Sequence, residues 1–312
     1  VSIVDGDQPT RVLVRAPAKV NLHLAVGGVR RDGFHELATV FQALDLADEI
    51  TARSAPPGTM TVRTVDPHGQ PVPGVPDDAD HLAVRAARAL AGYAGCRSGV
   101  HLEVRKRIPV AGGMAGGSAD AGAALVACDA LWGLGLGRRE LEGLAARLGS
   151  DVPFSLLGGT ALGVGRGERL TPVLASGRWW WVVAVADGGL ATPAVYRRLD
   201  ALRQGQPVPR PRVPDAILAA LRAGEPGELG PLLHNDLQPA AVAERPMLGE
   251  LLELALELGA LGALVSGSGP TCLALGEHEA HARSLATALQ ASGLCARAFV
   301  AAGPAPGARQ VA

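Results

Sequence analysis

Residues Pro109-Val-Ala-Gly-Gly-Met-Ala-Gly-Gly-Ser118-Ala-Asp120 decide how the rest of the chain is read. They join an apolar, β-branched run over residues 100–104 to an alanine-rich run that is helical from 118 to about 131. Gly112, Gly113, Gly116 and Gly117 let backbone N–H groups approach an anion without Cβ interference. Ser118 and Asp120 open the helix, whose N-terminus attracts phosphate through free N–H groups and the macrodipole. A tight turn with no ligand is the alternative, but a simple turn needs only one or two glycines. The loop is not a P-loop, because no lysine follows the glycines. Nor is it a dinucleotide fingerprint, because the glycines are paired rather than alternating. The protein-kinase motifs are missing too.

Around this loop the chain of 312 residues has 48% hydrophobic and 19% charged residues, enough for a sizeable core and unlike a disordered chain. Its formal charge of -1 predicts no nucleic-acid surface. No apolar run reaches the roughly 18 residues of a membrane span. The polar N-terminus, residues 1–10, does not read as a signal peptide. Cys96, Cys128, Cys272 and Cys295 lack zinc spacing and read as reduced core thiols of a cytoplasmic protein. Of the 29 basic residues only Lys19 and Lys106 are lysines. Genome composition accounts for the abundance of arginine; the two exceptions need their own explanation.

The first third reads as strands at 11–15, 19–26, 37–44, 49–53 and 60–64, followed by a Pro/Gly/Asp-rich loop and a helix from 80 to 91 with Asp80 as N-cap. A helix at 138–148 and strands at 159–165 and 179–186 come after the glycine loop. Helices at 215–222, 247–258 and 277–291 then mix with strands at 263–266, 271–275 and 296–301. Strands first and helices later predict an α+β fold of two layers rather than a doubly wound sheet. The boundary falls near residues 171–177, giving domains 1–172 and 173–312.

Three motifs, in order, carry a family resemblance. Ala16-Pro-Ala-Lys19-Val-Asn21-Leu, the glycine loop, and Val265-Ser-Gly-Ser-Gly-Pro270-Thr resemble the motifs of the GHMP kinases. Arg31-Asp-Gly-Phe34-His35-Glu36-Leu and Ser150-Asp151-Val-Pro-Phe154 resemble segments of one family among them, the 4-diphosphocytidyl-2-C-methyl-D-erythritol kinases. The resemblance runs from about residue 11 to 304. It implies the two-domain GHMP kinase fold, ribosomal-S5-like and ATP-binding first, ferredoxin-like and substrate-binding second. It also implies ATP-dependent phosphorylation of the 2-hydroxyl of CDP-methylerythritol in the non-mevalonate route to isoprenoids, with Mg²⁺ held largely by ATP and no protein metal ligand assigned. A monomer or weak homodimer is expected.

The resemblance assigns roles to residues whose chemistry can be weighed separately. Lys19 lies in an apolar strand, where an ammonium is costly unless paired; it is either a lysine snorkelling at a strand edge or the group that stabilises charge on the transferring phosphoryl. Asp151 either caps its turn or acts as the general base, oriented by Lys19. By strand alternation Asn21 shares a face with Lys19 and can bond a sugar hydroxyl. Phe34 and Tyr196 would enclose the cytosine, His35 would hydrogen-bond it, and Thr192 would touch the methylerythritol or diphosphate. Phe34 stands where the family commonly has Tyr. The nucleotide falls to Lys106, Pro109, Ala111, Gly112, Gly113, Met114, Ala115, Gly116, Gly117, Ser118, Ser266, Gly267, Ser268 and Gly269. Lys106 could equally be a charged strand end. Ser118 faces phosphate or Mg²⁺, and Asp120 is a charge at a helix N-terminus rather than a ligand. Another GHMP kinase, of homoserine or mevalonate type, and a non-catalytic nucleotide sensor are the rival readings.

Overall fold

The computed structural model describes residues 9–311. Residues 1–8, which carry most of the polar N-terminal stretch, lie outside the described residues. The first segment runs β1 (Arg11–Val29), β2 (His35–Ala55), β3 (Met60–Val65), α1 (Leu82–Ala94), β4 (Gly99–Arg105), α2 (Gly116–Trp132), α3 (Arg138–Leu148), α4 (Val152–Leu157), β5 (Thr160–Gly165) and β6 (Arg169–Pro172). The second runs β7 (Trp179–Val185), α5 (Thr192–Leu202), α6 (Asp215–Ala223), α7 (Pro226–Leu229), a 3-10 turn (Gly230–Leu232), β8 (His234–Asn235), α8 (Gln238–Glu244), α9 (Met247–Glu257), β9 (Gly262–Val265), β10 (Thr271–Gly276), α10 (Glu279–Ala291), β11 (Arg297–Gly303) and β12 (Arg309–Val311).

The four short strands expected at the start are two long ones. β1 and β2 stay paired through register shifts between Pro17 and Lys19, Asn21 and His23, and Val26 and Val29. Bulges of this kind break the period-two pattern without ending the strand. The middle of β1 is also buried on both faces, from Ala16 to Leu24, which removes the alternation that marks a half-buried strand. The length of β2 has a consequence for layout: residues 37–42 pair with β5 and residues 49–55 with β4.

β1 and β2 form the centre of the first sheet, in the order β12-β1-β2-β4-β3, with β5 and β6 continuing from β2 and β8 pairing with β1. α2 packs on β1 and β2. Apart from Ser118, Asp120 and Asp129 it is apolar on every face, with Ala121, Ala123, Ala124, Ala127 and Cys128 buried, as an enclosed helix requires. The second sheet has the order β11-β7-β10-β9, all antiparallel, with α5 to α9 before β9 and α10 before β11. That is the βαββαβ arrangement of a ferredoxin-like layer. Two strands return from the second segment to the first sheet: β8 runs parallel to β1 at His23 and Leu24, and β12 antiparallel to it at Leu13–Arg15. A division after residue 172 therefore leaves two strands of the first sheet beyond the cut.

Helix starts differ from the sequence reading where capping chemistry is unusual. α1 is capped by His81, whose Nδ1 accepts the Ala83 N–H at 3.1 Å, not by Asp80. α4, α5, α7 and α8 each carry proline in the first turn and are too short or too mixed to show periodicity. Cys128, Cys272 and Cys295 are buried thiols, while Cys96 is only half-buried. Burial pushes the Cys272 thiol up to about 12, which keeps it protonated. No helix among the described residues is long and apolar enough to cross a membrane.

Candidate active site

The glycine loop spans from the end of β4 to the start of α2. Of its four glycines only Gly113 needs a left-handed backbone, at φ +74°; Ala111 and Ala115 adopt φ +53° and +56° as non-glycine residues. Gly112 and Gly116 instead sit at close approaches. A Cβ on Gly112 would meet Thr271 Oγ1 at 2.9 Å, and one on Gly116 would meet Lys106 Nζ at 3.1 Å. α2 begins at Gly116, two residues before the expected start, and has no capping side chain. Its first N–H groups thus lack an acceptor among the described residues and border a cavity of about 1020 Å³.

The third motif, residues 265–270, lies directly against this loop. A Cβ on Gly113 would stand 2.3 Å from the Ser266 carbonyl oxygen, and Ser266 Oγ donates to the Gly113 carbonyl at 3.3 Å. A Cβ on Gly267 would lie 3.4 Å from Asn21 Oδ1 and 3.7 Å from Lys19 Nζ. The first motif is therefore in the same place. Lys19 Nζ donates to Asn21 Oδ1 at 2.8 Å, Asn21 Nδ2 donates to Thr39 Oγ1 at 2.8 Å, and Lys19 N donates to the Met114 carbonyl at 3.2 Å. Asp151 Oδ2 stands 3.6 Å from Lys19 Nζ. Lys19 is 8% exposed and paired, not a snorkelling edge residue. Asn21 shares its face, as alternation requires, but both ends of its amide are engaged inside the protein.

Phe34, His35, Thr192 and Tyr196 also line the cavity. Asp32-Gly33 forms the expected turn, with Phe34 N donating to Asp32 Oδ1. Phe34 is 51% exposed, with the Arg166 guanidinium 4.9 Å from its ring centre. His35 stacks at 4.9 Å on Tyr196 and bonds Asp200 Oδ1 through Nε2 at 2.9 Å. Since a carboxylate only accepts, Nε2 carries the proton. Burial, with the Asp151 charge added, raises the Tyr196 phenol far above its ordinary range, so it stays neutral. Thr192 Oγ1 lies 2.8 Å from Ser268 Oγ, which ties the start of α5 to the third motif.

Several expected nucleotide contacts take other positions. Pro109, Ala111, Gly112, Gly113, Ala115, Gly116, Gly117, Gly267, Ser268 and Gly269 border the cavity. Met114 does not: its side chain is fully buried in the core. Ser266 is fully buried and works as a stitch between loops, and Ser118, in the second half of the first turn of α2, is not on the cavity wall. Asp120 is not a surface charge at a helix end. It is 2% exposed and bonds Lys106 Nζ at 2.8 Å, while Lys106 also bonds Asp48. Lys106 borders the cavity, but as a buried ion pair rather than a free strand end.

Sequence reasoning missed Asn235, Asp48, Asp200 and Arg166. Buried Asn235 donates from Nδ2 to the carbonyls of Val265 and Gly267, both at 2.7 Å, and accepts the Leu237 N–H, so it holds the third motif in shape. The signal for it was three consecutive polar residues, 234–236, between leucines.

Residues 81–159 match the family described as GHMP kinases N terminal domain, and residues 217–294 that described as GHMP kinases C terminal. A 4-diphosphocytidyl-2-C-methyl-D-erythritol kinase of Thermobifida fusca is 55% identical over 306 residues, covering 97% of this chain and 99% of that protein. The chain belongs to the 4-diphosphocytidyl-2-C-methyl-D-erythritol kinase family. The Salinispora arenicola member is 53% identical across 98% of this chain and 97% of its own length. A crystal structure of 4-(cytidine 5'-diphospho)-2C-methyl-D-erythritol kinase matches with a TM-score of 0.72 at 38% identity, over 94% of this chain and 98% of that one. Homoserine kinase from Cytophaga hutchinsonii, at 17% identity and a TM-score of 0.77, shares the fold alone. The two-domain α+β GHMP architecture is thus common to kinases of different substrates, while the sequence likeness is to one family of them.

Proposed function

We propose that the protein transfers the γ-phosphoryl group of ATP to the 2-hydroxyl of CDP-methylerythritol, the non-mevalonate kinase step of isoprenoid precursor synthesis. The observation that carries this reading is the meeting of three separate motifs, with Gly113, Gly267, Lys19 and Asn21 in mutual contact at one wall of the cavity.

The residues present fit an anionic nucleotide. The uncapped start of α2 offers N–H groups, and Gly116 and Gly117 leave open the space that side chains would fill. Mg²⁺, when bound with ATP, supplies charge neutralisation on the transferring phosphoryl. Among the described residues no three of His, Cys, Asp and Glu stand together as a ligand set, so ATP oxygens and water would provide most of its coordination.

Asp151 accepts the proton of the attacking hydroxyl, and Lys19 beside it steadies the developing negative charge. Asn21 keeps the ammonium on this face. His35, Tyr196 and Phe34, which line the same cavity, hold the cytidyl end, which orients the methylerythritol hydroxyl toward Asp151. We assign the protein to the cytoplasm, where nucleotide substrates are made.

Mixing the purified protein with Mg-ATP and CDP-methylerythritol tests the reading. The 2-phosphate product is expected. No turnover there, alongside turnover of homoserine or mevalonate, would overturn it.

A further inference from the structure

The reaction chemistry leaves one buried cluster unused. Lys106 Nζ donates to Asp48 Oδ2 at 2.5 Å and to Asp120 Oδ2 at 2.8 Å, and none of the three residues is more than 7% exposed. The other oxygen of Asp48 accepts the N–H groups of Arg107 at 2.6 Å and Ile108 at 2.9 Å, the two peptides that lead into Pro109. Asp120 lies in the second turn of α2, and Lys106 Nζ sits beneath Gly116 in its first. One cluster therefore joins β2, the entry of the glycine loop and the start of α2. Asp120 Oδ1 is buried without a partner among the described residues, and Asp120 borders the cavity.

Two carboxylates face one ammonium here. A second buried carboxylate with no counter-charge is costly. Both carboxylates hold the same ammonium, so one added proton on the pair removes that cost. Burial, reinforced by the Asp120 charge, pushes Asp48 up to about 7. Burial raises Asp120 as well. Burial opposes the charge on Lys106, but the two carboxylates outweigh it and keep the ammonium protonated.

Other charges near the cluster do not supply the missing positive one. His81, at the start of α1, is driven toward its neutral form by burial and by Lys106. Asp77, Asp78 and Asp80 lie before α1, and Asp77 and Asp78 act on His81. Arg107 and Arg15 both lean on Glu49 of β2, at 3.7 and 3.6 Å.

We propose that Asp120 and Asp48 are positioning residues for the nucleotide: by sharing Lys106 they lock the loop entry to the start of α2, and their common proton sets the charge that a triphosphate meets there. This rests on the reading that ATP binds at the glycine loop. With the proton in place the cluster is neutral. Without it the cluster carries one net negative charge beneath the phosphates.

Calorimetric binding of Mg-ATP to the full chain and steady-state kinetics in both substrates test this. Asp120→Ala should raise the Kd and KM for ATP by about tenfold or more, with the KM for CDP-methylerythritol within about twofold. Asp120→Asn keeps an oxygen acceptor for Lys106 and leaves one carboxylate against one ammonium. It should recover most of the ATP affinity. It should also flatten a rise in KM for ATP that the unmodified protein shows above about pH 7. ATP affinity unchanged in Asp120→Ala, equal increases in both KM values, or an unaltered pH profile in Asp120→Asn would overturn the inference. If the alanine variant does not fold, the pH profile of the asparagine variant decides alone. Failure of the unmodified protein to bind Mg-ATP would instead overturn the nucleotide site itself, and this inference with it.

Discussion

The Lys19 ammonium and the Asp151 carboxylate stand 3.6 Å apart, one on the buried middle of β1 and the other at the N-terminus of α4. The gap is longer than a tight hydrogen bond, so both groups remain available to a third. Neither element alone makes this pair. Asp151→Asn removes the proposed proton acceptor and keeps the shape; Lys19→Ala removes the charge. Each should lower kcat by about 100-fold or more. Near-normal turnover in either variant would remove that residue from the chemistry. Mg-ATP binding to Asp151→Asn should persist.

Asn235 reaches two carbonyls of the third motif from a buried position. Asn235→Ala leaves Val265 and Gly267 without those donors and should destabilise the fold by roughly 2–3 kcal/mol. Urea unfolding measures this. The KM for ATP should rise as well, since residues 266–269 lose their brace.

Gly113 combines a positive φ with a Cβ position 2.3 Å from the Ser266 oxygen. Gly113→Ala must separate the two glycine loops, and nucleotide affinity should fall at least tenfold. Gly28, which has open space where a Cβ would point and no positive φ, is the control: Gly28→Ala should bind as the unmodified protein does.

Asp236 ties the second segment to β1. Its carboxylate accepts from Val26 N at 2.7 Å and pairs with Arg203 at 2.9 Å and His234 at 2.8 Å. Burial alone would raise its pKa, but the bonds from His234, Val26 and Arg203 win and hold it at about 2. A depressed carboxylate contributes stability at pH values above its unfolded value near 4, and that contribution disappears as pH falls toward 2. The carboxylate is partly exposed, at 22%, so the effect is moderated by solvent. Asp236→Asn should lower Tm by about 2 °C at neutral pH and lose less stability than the parent between pH 4 and 2. Equal acid sensitivity in both would contradict this.

His35 is set by Asp200 and stacked on Tyr196. His35→Ala should raise the KM for the cytidyl substrate by about tenfold, leaving that for ATP unchanged. An unmoved KM for the cytidyl substrate would take His35 out of the base site.

Both lysines, singled out by their scarcity, proved to be buried and paired beside the cavity, yet in different ways. Lys19 carries one hydrogen bond and a loose ion pair; Lys106 is fully occupied by two carboxylates. That contrast was not legible in the chain, because Asp48 and Asp120 come from other elements. The longer periodic helices, most of the longer strands, the three motifs and the α+β class were legible, since each depends on residues close in sequence: turn chemistry, helical spacing and β-branched runs. Sequence also marked Asp151, through the short polar turn before Val152-Pro153-Phe154. Tertiary structure alone decided which glycines need their missing Cβ for φ and which for proximity, that β1 and β2 run unbroken through their bulges, and that β8 and β12 cross back to the first sheet. These outcomes depend on contacts between distant segments, where a 2.3 Å approach or a shared ammonium outweighs any local preference.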